Sequence, residues 1–370
     1  MTLDTPYRAI FCDLLTDQTI DILPLRDVQI DDYIGKAGSL SGTIPIPDKA
    51  MAARVRQIEE GRTAVYLERG GDLWWGGIVW TSTLQSSGRG VLTLSIQAAT
   101  FDSYAARRRI RTNISVTAPT DQLEIARTLW KELQKAEGGD IRVGYGSETS
   151  AVTRTASWRK GDETLYSEAL EQLARVDAGT DSGFEHQIMV YRDPVTLRRV
   201  RQLRLGSPRI RTGETDLILD RPGAILSYSF PRDATRGGTT ALARGASINS
   251  NAAAESRPLT SAEKESPLLD AGWPRIDLSS DHNEVTSQAT LEKLAASELV
   301  QSAGAVVIPE ISIRLGGVVP PTLLGRTTRI RITDEWHPTG LDARFRIIGV
   351  KVKPPERGRP DTADLYLEEA

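Results

Sequence analysis

Apolar and polar residues alternate with a period of two in two separate parts of the chain. Near the start, Gly61-Arg62-Thr63 precedes the alternating run Ala64–Leu67. Near the end, Gly325-Arg326-Thr327 precedes the alternating run Arg329–Ile332. Such alternation is typical of half-buried antiparallel strands. Both runs therefore predict a strand that follows a Gly-Arg-Thr sequence.

The segments after these two strands also follow the same order in both places. Each strand is followed by a turn, a longer strand interrupted by glycine, a second turn and a last strand. We interpret this as one β-module carried twice, although two unrelated three-stranded meanders could share the outline by chance. The parts are Arg69–Asp72, a strand interrupted near Gly76-Gly77, Ser87–Gly90 and Val91–Ile96 in the first copy, and Asp334–Asp342, a strand interrupted at Gly349, Glu356–Pro360 and Ala363–Leu367 in the second.

The apolar face of the longer strand changes phase near the glycines. In the second copy Phe345 and Ile347 share a face, whereas beyond Gly349 the apolar residues are Val350 and Val352. A one-residue slip moves every side chain to the other face unless a bulge absorbs it. We therefore predict β-bulges at Gly77 and Gly349, with positive φ at Gly349, because glycine tolerates that conformation.

The rest of the chain predicts four helices, a small α+β region and one long loop. We expect residues 1–112 to form a first β-barrel and residues 113–205 to form an α+β insertion. Residues 206–305 are expected to contain a strand, an extended arm and a helix. Residues 306–370 are expected to form a second β-barrel that packs with the strand of 206–232. The fold class is therefore mainly β, with two tube-like barrels interrupted by a small α+β domain. The predicted helices are Lys49–Glu60, one capped by Asp121 with Glu124 in a capping box, one from Asp162 to Gly179, and Thr286–Ser302, and Asp233–Pro274 is the predicted arm.

Composition narrows the class of protein. The chain has 370 residues, 39% hydrophobic and 26% charged, with a net charge of −3, as in soluble globular proteins. No apolar run is long enough to predict a membrane span, and the start predicts no signal peptide. Cys12 is the single cysteine, which excludes an internal disulfide and a cysteine-rich zinc site. We interpret Cys12 as a small buried hydrophobic residue. A mildly acidic chain does not favour tight nucleic-acid binding.

Candidate catalytic groups are few. The histidines, His186, His282 and His337, are far apart and lack the spacing of a zinc peptidase. Glu163 and Glu168 leave a glycosidase pair open, but solvated helix faces often carry such residues. No nucleophile elbow or Walker A motif occurs. We therefore predict no catalytic, cofactor-binding or metal-binding residues.

Four further patterns have a functional and a structural interpretation. Asp281-His282-Asn283-Glu284 offers metal ligands, but capping of the following helix is simpler. Of Trp74 and Trp75, which point to opposite faces, we expect one in the core and the other in a subunit interface rather than on a carbohydrate platform. Arg107-Arg108-Arg109 with Arg111 could contact DNA, but a solvated position or a salt bridge between subunits is the expected role. Gly35–Gly38 and Arg236–Thr240 lack phosphate-loop spacing and are expected to be turns.

The order of several segments resembles the minor tail proteins of siphoviruses that infect actinobacteria. These proteins are related in architecture to the baseplate hub proteins of other phages. No single motif is chemically diagnostic, so the resemblance depends on the order of the segments along nearly the whole chain. The segments are Ala37–Pro45, Gly61–Trp80, Phe101–Arg108, Ile225–Gly245 and Arg344–Val350.

This resemblance implies a tail-tip hub in the virion, made in the host cytoplasm. Three copies would form a ring whose six barrels match the tail tube or the distal tail ring above. Tip or fibre proteins would bind below, a tape measure protein would be a further partner, and genomic DNA would pass along the axis without specific binding. Neither enzymatic activity nor a cofactor is implied. The alternatives are a distal tail module that recognises the host or its cell wall, and a peptidoglycan hydrolase.

Overall fold

The computed structural model describes residues 7–88, 90–175, 183–247, 257–283, 285–302, 306–307, 309–316, 318–355 and 360–369. The chain divides into two compact units. Unit 1 comprises Met1–Leu173, Glu185–Tyr228 and Glu310–Ala370, and unit 2 comprises Ala174–Phe184 and Ser229–Pro309.

Strands are the main elements of the described chain. They are β1 (Tyr7–Asp13), β2 (Thr19–Leu23), β3 (Arg26–Tyr33), β4 (Ser39–Ile46), β5 (Thr63–Arg69), β6 (Asp72–Ser86), β7 (Leu92–Thr100), β8 (Ile114–Asp121), β9 (Val143–Tyr145), β10 (Thr153–Trp158), β11 (Glu185–Arg192), β12 (Arg199–Gly206), β13 (Thr212–Arg221), β14 (Ile225–Ser229), β15 (Arg232–Asp233), β16 (Thr240–Ser247), β17 (Pro258–Thr260), β18 (Lys264–Glu265), β19 (Asp277–Asp281), β20 (Val306–Val307), β21 (Glu310–Arg314), β22 (Arg326–Ile332), β23 (Leu341–Lys353) and β24 (Thr362–Glu369). The helices are α1 (Lys49–Val55), α2 (Gln122–Lys135), α3 (Tyr166–Arg175) and α4 (Gln288–Gln301), with 3-10 turns at Phe101–Arg107, Ala234–Arg236 and Pro320–Thr322.

One sheet of 13 strands forms the centre of unit 1. Its strand order is β14-β21-β24-β23-β3-β4-β7-β6-β5-β1-β2, and β22 joins β23 to β13. Both predicted copies of the β-module therefore lie in a single sheet.

The predicted repeat is present in this sheet as a repeat of strand connectivity. We define the first strand module as β1 and β3–β7, and the second strand module as β13, β14 and β21–β24. The pairings β1–β5, β5–β6, β6–β7, β7–β4 and β4–β3 correspond in order to β13–β22, β22–β23, β23–β24, β24–β21 and β21–β14. One difference is direction, because β1 and β5 are antiparallel whereas β13 and β22 are parallel.

Two glycines align the modules residue by residue. Gly61 and Gly325 have φ of +77° and +79°, in the left-handed region that favours glycine. The Gly61 N–H donates to the Val79 carbonyl at 2.7 Å, and the Gly325 N–H donates to that of Ile347 at 2.8 Å. One residue later each longer strand has a bulge, between Val79 and Thr81 in β6 and between Ile347 and Gly349 in β23. Val79 therefore corresponds to Ile347.

The glycine interpretation needs correction. The bulge of β23 lies beside Gly349 as predicted, but Gly349 does not have positive φ. Gly77 pairs regularly with both neighbouring strands, β5 and β7, so the bulge predicted at Gly77 is absent. Glycine is instead required at both positions because a side chain would clash with neighbouring atoms. A Cβ on Gly349 would lie 2.4 Å from a ring carbon of Tyr33, and one on Gly77 would lie 2.1 Å from the Ala99 carbonyl oxygen.

The α+β insertion of unit 1 lies in the chain between the two modules. It pairs β8 with β10 and joins β11, β12 and β9. Asp121 caps α2 by accepting from the Leu123 N–H at 2.8 Å, as predicted. Glu124 contacts Arg127 and Lys131. The apolar face of α2 is buried by Leu123, Ile125, Ala126, Leu129, Trp130 and Leu133.

Two helix boundaries differ from the predictions. α1 ends at Val55 and not at Glu60. α3 begins at Tyr166, four residues after the predicted Asp162. Glu163 has φ of +52°, which a right-handed helix does not allow. The predicted end at Gly179 lies outside the described residues.

The described part of unit 2 contains a four-stranded sheet, the helix α4 and the separate strand pair β15–β20. β16 pairs with β17, β18 and β19, and Leu291 and Ala295 of α4 are buried with Ala243 of β16. The predicted arm at Asp233–Pro274 is therefore wrong for its described part, which contains the central strand of this sheet. Its residues are small, so the apolar alternation is weak: Thr239, Thr240, Ala241 and Ala243 are all buried.

Candidate assembly surface

A seam joins the two strand modules within unit 1. β3 of the first module and β23 of the second pair in antiparallel fashion, with Lys351 opposite Asp31 and Val352 opposite Ile30. Val352 is 1% exposed and Ile30 is 2% exposed. The indole N–H of Trp75 donates to the Asp31 carbonyl at 2.9 Å, which fixes the strand further. The seam therefore covers the edge of β23 beyond its pairing with β22.

The corresponding edge of β6 is open in the described chain. β5 pairs with β6 only as far as Ile78, and β7 occupies the other edge. The segment Thr81–Ser86, which we call the β6 edge, has no strand beside it on the β5 side among the described residues. Leu84 of this segment is 64% exposed, although its counterpart Val352 is buried.

The outer edge of β14 is open as well. β14 corresponds to β3, and it is the last strand of the sheet beyond β21 in the described chain. We call its Ile225–Tyr228 segment the β14 edge. Ile225 is buried and Leu226 is 39% exposed. The Leu226 carbonyl accepts from the Arg221 guanidinium at 3.2 Å.

Both edges consist of uncharged residues. The β6 edge reads Thr-Ser-Thr-Leu-Gln-Ser and the β14 edge reads Ile-Leu-Ser-Tyr. Natural proteins protect exposed strand edges with lysine, proline or inward-pointing charges, because open edges pair with other chains. Neither edge contains these residues itself, although Arg221 donates to the Leu226 carbonyl and Glu60 accepts from the Ser82 hydroxyl. The composition of both edges therefore fits strands that become paired in an assembly.

Arg201 of β12 holds the insertion to the first module. Its side chain is 2% exposed. The guanidinium donates to the Tyr66 hydroxyl at 2.7 Å, the Leu14 carbonyl at 2.8 Å and Asp17 at 2.9 Å. Arg199 also contacts Asp17 at 2.9 Å. Burial raises the pKa of Tyr66, so this hydroxyl keeps its proton.

Arg346 of β23 holds the insertion to the second module. Its side chain is 4% exposed and contacts both carboxylate oxygens of Glu185 in β11. It also donates to Glu368 of β24 at 2.8 Å and to the Ile210 carbonyl at 2.9 Å. Hydrogen bonds to both carboxylates compensate the cost of taking a cation out of water.

Three titratable groups lie where β11 meets the first module. Burial raises the pKa of Asp102 to about 6 and lowers the pKa of His186 to about 4. Burial and the nearby charge of Asp102 raise the pKa of Asp32 well above its usual value. Asp32 accepts from the Gln187 amide at 3.0 Å, and Asp102 accepts from the Ile188 N–H at 2.9 Å. These carboxyls therefore connect β11 to β3 and to the 3-10 turn after β7.

The histidines considered for catalysis lie in different elements. His186 lies in β11 and His337 in the loop between β22 and β23, whereas His282 follows β19 in unit 2. Cys12 is buried, as predicted, and burial raises the pKa of its thiol. Within the described ranges, no three His, Cys, Asp or Glu side chains are grouped to hold a metal ion.

The acidic candidates make structural contacts. Glu163 lies 3.5 Å from Arg111 and 3.9 Å from Arg109, so these two arginines form salt bridges within the chain, whereas a solvated position or a salt bridge between subunits was predicted. Glu168 accepts from the Leu165 N–H at 3.0 Å at the start of α3.

The predicted capping role of Asp281–Glu284 is wrong for the described residues. Ser287 caps α4 by accepting from the Thr290 N–H, and Asp281 pairs with Arg244. Glu284 lies outside the described residues.

The tryptophan prediction also needs correction. Trp74 and Trp75 are 3% and 2% exposed, so neither is free to enter a subunit interface. Both faces of β6 are covered at this point. Trp74 packs edge-on against Tyr7 with ring centroids 5.1 Å apart, and Trp75 hydrogen-bonds into the seam.

The two glycine-containing segments are turns or connections, as predicted. Gly35–Gly38 connects β3 to β4, and the Gly35 N–H donates to the His186 carbonyl at 3.0 Å. Arg236–Thr240 connects a 3-10 turn to β16.

Sequence reasoning missed the two buried arginines. Arg201 has a detectable signal, because it shares its phase with the buried Leu203 and Leu205 of β12. Arg346 has no comparable signal, since the bulge between Ile347 and Gly349 changes the phase of β23.

No helix in the described part of the chain combines the length and apolar character needed to cross a membrane. No protein-family model matches the chain, and no curated protein matches its sequence.

Solved structures of tail proteins share the fold over almost the whole chain. A 43 kDa tail protein of prophage MuSo2 from Shewanella oneidensis has a TM-score of 0.62 at 14% identity, covering 98% of each chain. A tail protein from Neisseria meningitidis has a TM-score of 0.58 at 14% identity, covering 98% of this chain and 96% of that one. Prophage tail protein gp18 from Listeria monocytogenes has a TM-score of 0.53 at 13% identity, covering 97% and 94%. The chain therefore has the fold of phage tail proteins, which confirms the mainly β fold class and, at the level of fold, the resemblance found in the sequence.

Proposed function

We propose that this chain is a structural protein of a phage tail and that three copies form a ring at the tail tip. The observation that carries the proposal is the repeat of strand connectivity inside a tail-protein fold. Each chain supplies two modules with the same order of paired strands. Three chains would therefore present six similar modules around one axis.

The repeated and unrepeated parts suit partners of different symmetry. Six similar modules match a six-fold tail tube or distal tail ring. The α+β insertion and unit 2 each occur once in the chain, so a trimer presents three of each. These parts are suited to three-fold tip or fibre proteins, and a tape measure protein could enter the ring along its axis.

The charge of the chain is compatible with an axial passage for DNA. The net charge is −3, and strong phosphate binding requires clusters of free basic side chains. Several arginines of unit 1 are instead paired within the chain. Arg192 contacts Glu68, Arg199 contacts Asp17, and Arg346 contacts Glu185. The proposed role needs no catalysis and no cofactor.

Mass and symmetry test the proposal. Light scattering of the purified full chain should give the mass of three 40.5 kDa copies, and electron microscopy should show rings with an open axis and six similar lobes. Dilution should return the mass of one copy with unchanged circular dichroism. A single-copy mass up to the highest soluble concentration, or compact particles without an axial opening, would contradict the ring.

A further inference from the structure

We propose that the β14 edge of one copy pairs with the β6 edge of the next copy, in antiparallel fashion. The inference rests on the proposed ring and identifies the strands that close it. The occupant of each open edge is therefore a second copy of this chain.

The seam inside the chain is the template for this pairing. There, β3 of the first module covers the edge of β23 in the second module. The repeat makes β14 the counterpart of β3 and β6 the counterpart of β23. The same contact between β14 and β6 is absent within the described chain. It can be made between two copies, because each copy carries one open edge of each kind.

A short sequence match sets the register. β3 contains Ile30-Asp31-Asp32-Tyr33 and β14 contains Ile225-Leu226-Ser227-Tyr228, so both read Ile-x-x-Tyr. The isoleucines are both buried, at 2% and 4% exposed. Transferring the seam register through the aligned bulges gives four expected pairs, namely Thr81 with Tyr228, Ser82 with Ser227, Thr83 with Leu226, and Leu84 with Ile225.

The burial of the two modules differs where the second copy would bind. Leu84 is 64% exposed, whereas the corresponding Val352 is 1% exposed beneath the seam. In the expected register Leu84 and Ile225 are cross-strand neighbours on one face, as Val352 and Ile30 are in the seam. Pairing would thus place an exposed leucine beside an apolar partner, which stabilises antiparallel sheets.

One position differs from the seam in a way that the structure accommodates. Tyr33 lies so close to Gly349 that a Cβ there would clash with its ring. Thr81 replaces this glycine in the first module, so Tyr228 cannot lie in the same way. The Tyr228 hydroxyl instead donates to Asp334 at 2.6 Å, and its ring is 6.3 Å from that of His337. Its side chain is thereby directed to the loop between β22 and β23.

Repeating the contact is compatible with a closed ring. The β6 and β14 edges are different surfaces, so the interface is heterologous, and heterologous contacts close when the rotation between neighbours permits. Three such contacts would close the proposed trimer.

A disulfide between Thr83→Cys and Leu226→Cys tests the register. Directly opposed residues of antiparallel strands have Cα atoms about 4.5–5.5 Å apart, within the range that a disulfide spans. Mild oxidation of the double variant should give a covalent trimer on a non-reducing gel. The native Cys12 is buried, and each single variant controls for its reactivity. The matched control is Thr83→Cys with Ser229→Cys, about 10 Å further along the strand, which should stay uncrosslinked.

The outcomes separate this inference from the proposed function. A trimeric mass without the Thr83–Leu226 crosslink, or equal crosslinking of the control pair, would overturn the strand assignment and leave the ring intact. A single-copy mass for the unmodified chain would overturn both.

A charge on the β6 edge gives a second test. Leu84→Asp should weaken association about tenfold or more, since the pairing would bury an unpaired carboxylate. Val195→Asp is the matched control, because Val195 is 87% exposed in the turn between β11 and β12. Both variants should keep the circular dichroism of the unmodified chain. Equal association of the two variants would count against the β6 edge.

Discussion

The two strand modules each contact the β11–β12 hairpin through a buried arginine, but the arginine comes from opposite sides. At the first module Arg201 belongs to the insertion, and Asp17 belongs to the turn that follows β1 of the module. At the second module Arg346 belongs to the module and Glu185 belongs to the insertion. Both arginines are almost fully buried, and both also donate to backbone carbonyls.

This difference shows which property the two modules share. Strand order, the left-handed glycine and the bulge in the longer strand recur in both. The side chains that bury charge at the insertion do not recur. Backbone hydrogen bonds are largely independent of side-chain identity, so a sheet can keep its connectivity while its polar contacts differ. The modules are therefore equivalent as assembly units and different as supports for the insertion.

The largest expected effect tests the arginine of the second module. Arg346→Met should lower the free energy of unfolding by about 4 kcal/mol, because Glu185 and Glu368 would lose their buried cation. Urea unfolding followed by circular dichroism measures the change. Arg344→Met is the matched control on the same strand, since Arg344 is 63% exposed and pairs with Asp216 at the surface.

Two further variants show whether Arg201 and Arg346 stabilise the chain to a similar extent. Arg201→Met should lower the free energy of unfolding by a similar amount, because the Tyr66 hydroxyl and the backbone carbonyls that accept from Arg201 would lose their donor. Arg346→Met combined with Glu185→Gln should recover part of the loss, because the amide removes an unpaired charge. If Arg346→Met and Arg344→Met have the same free energy of unfolding, the buried contacts of Arg346 do not stabilise the chain.

The pH dependence of stability tests the titratable groups that lie where β11 meets the first module. Asp102 in the fold keeps its proton up to about pH 6, whereas the unfolded chain releases it near 4, so its contribution falls as pH rises from 4 to 6. His186 has the opposite sign. Its folded pKa is about 4 and its unfolded value is near 6.5, so its contribution is lost as pH falls from 6.5 to 4. Each effect is about 3 kcal/mol, and the two oppose each other.

Variants of these groups should reveal the opposed slopes. The pKa of Asp32 is raised as well, so Asp102→Asn combined with Asp32→Asn leaves the histidine effect, and stability should fall on acidification from pH 6.5 to 4. His186→Gln leaves the aspartate effect, so stability should rise over the same interval. Urea midpoints at four pH values provide the measurement, with the unmodified chain as reference. Parallel profiles for both variants would be inconsistent with the assigned pKa shifts.

Strand alternation and glycine spacing were sufficient to predict the repeated three-stranded segment, which is β5–β7 in the first module and β22–β24 in the second, but not the other strands of each module. They were insufficient to predict that both modules share one sheet, because the seam between β3 and β23 joins residues more than 300 positions apart, and local periodicity contains no information about such pairs. The strands of unit 2 were missed for another reason. Thr240, Ala241 and Ala243 are small, so their burial leaves almost no hydrophobic periodicity.

The candidate surface was predictable only in part. The duplication indicates assembly, but the adjacent aromatic residues Trp74 and Trp75 suggested the wrong interface, because both are covered within the chain. The informative residue is Leu84, whose exposure is unremarkable until it is compared with its buried counterpart Val352. That comparison requires the register, and the register depends on the bulges.

The smallest expected effect exchanges one pair of corresponding residues between the modules. Gly349→Thr gives the second module the residue that the first has at Thr81. It should cost about 2 kcal/mol, because its Cβ would lie 2.4 Å from the Tyr33 ring and the seam must shift. Thr81→Gly, at an exposed position, is the matched control and should cost at most about 1 kcal/mol through backbone entropy. Urea unfolding of the dissociated chain measures both. Equal costs would mean that the seam tolerates a side chain at Gly349 and that close approach is not what distinguishes the covered edge from the open one.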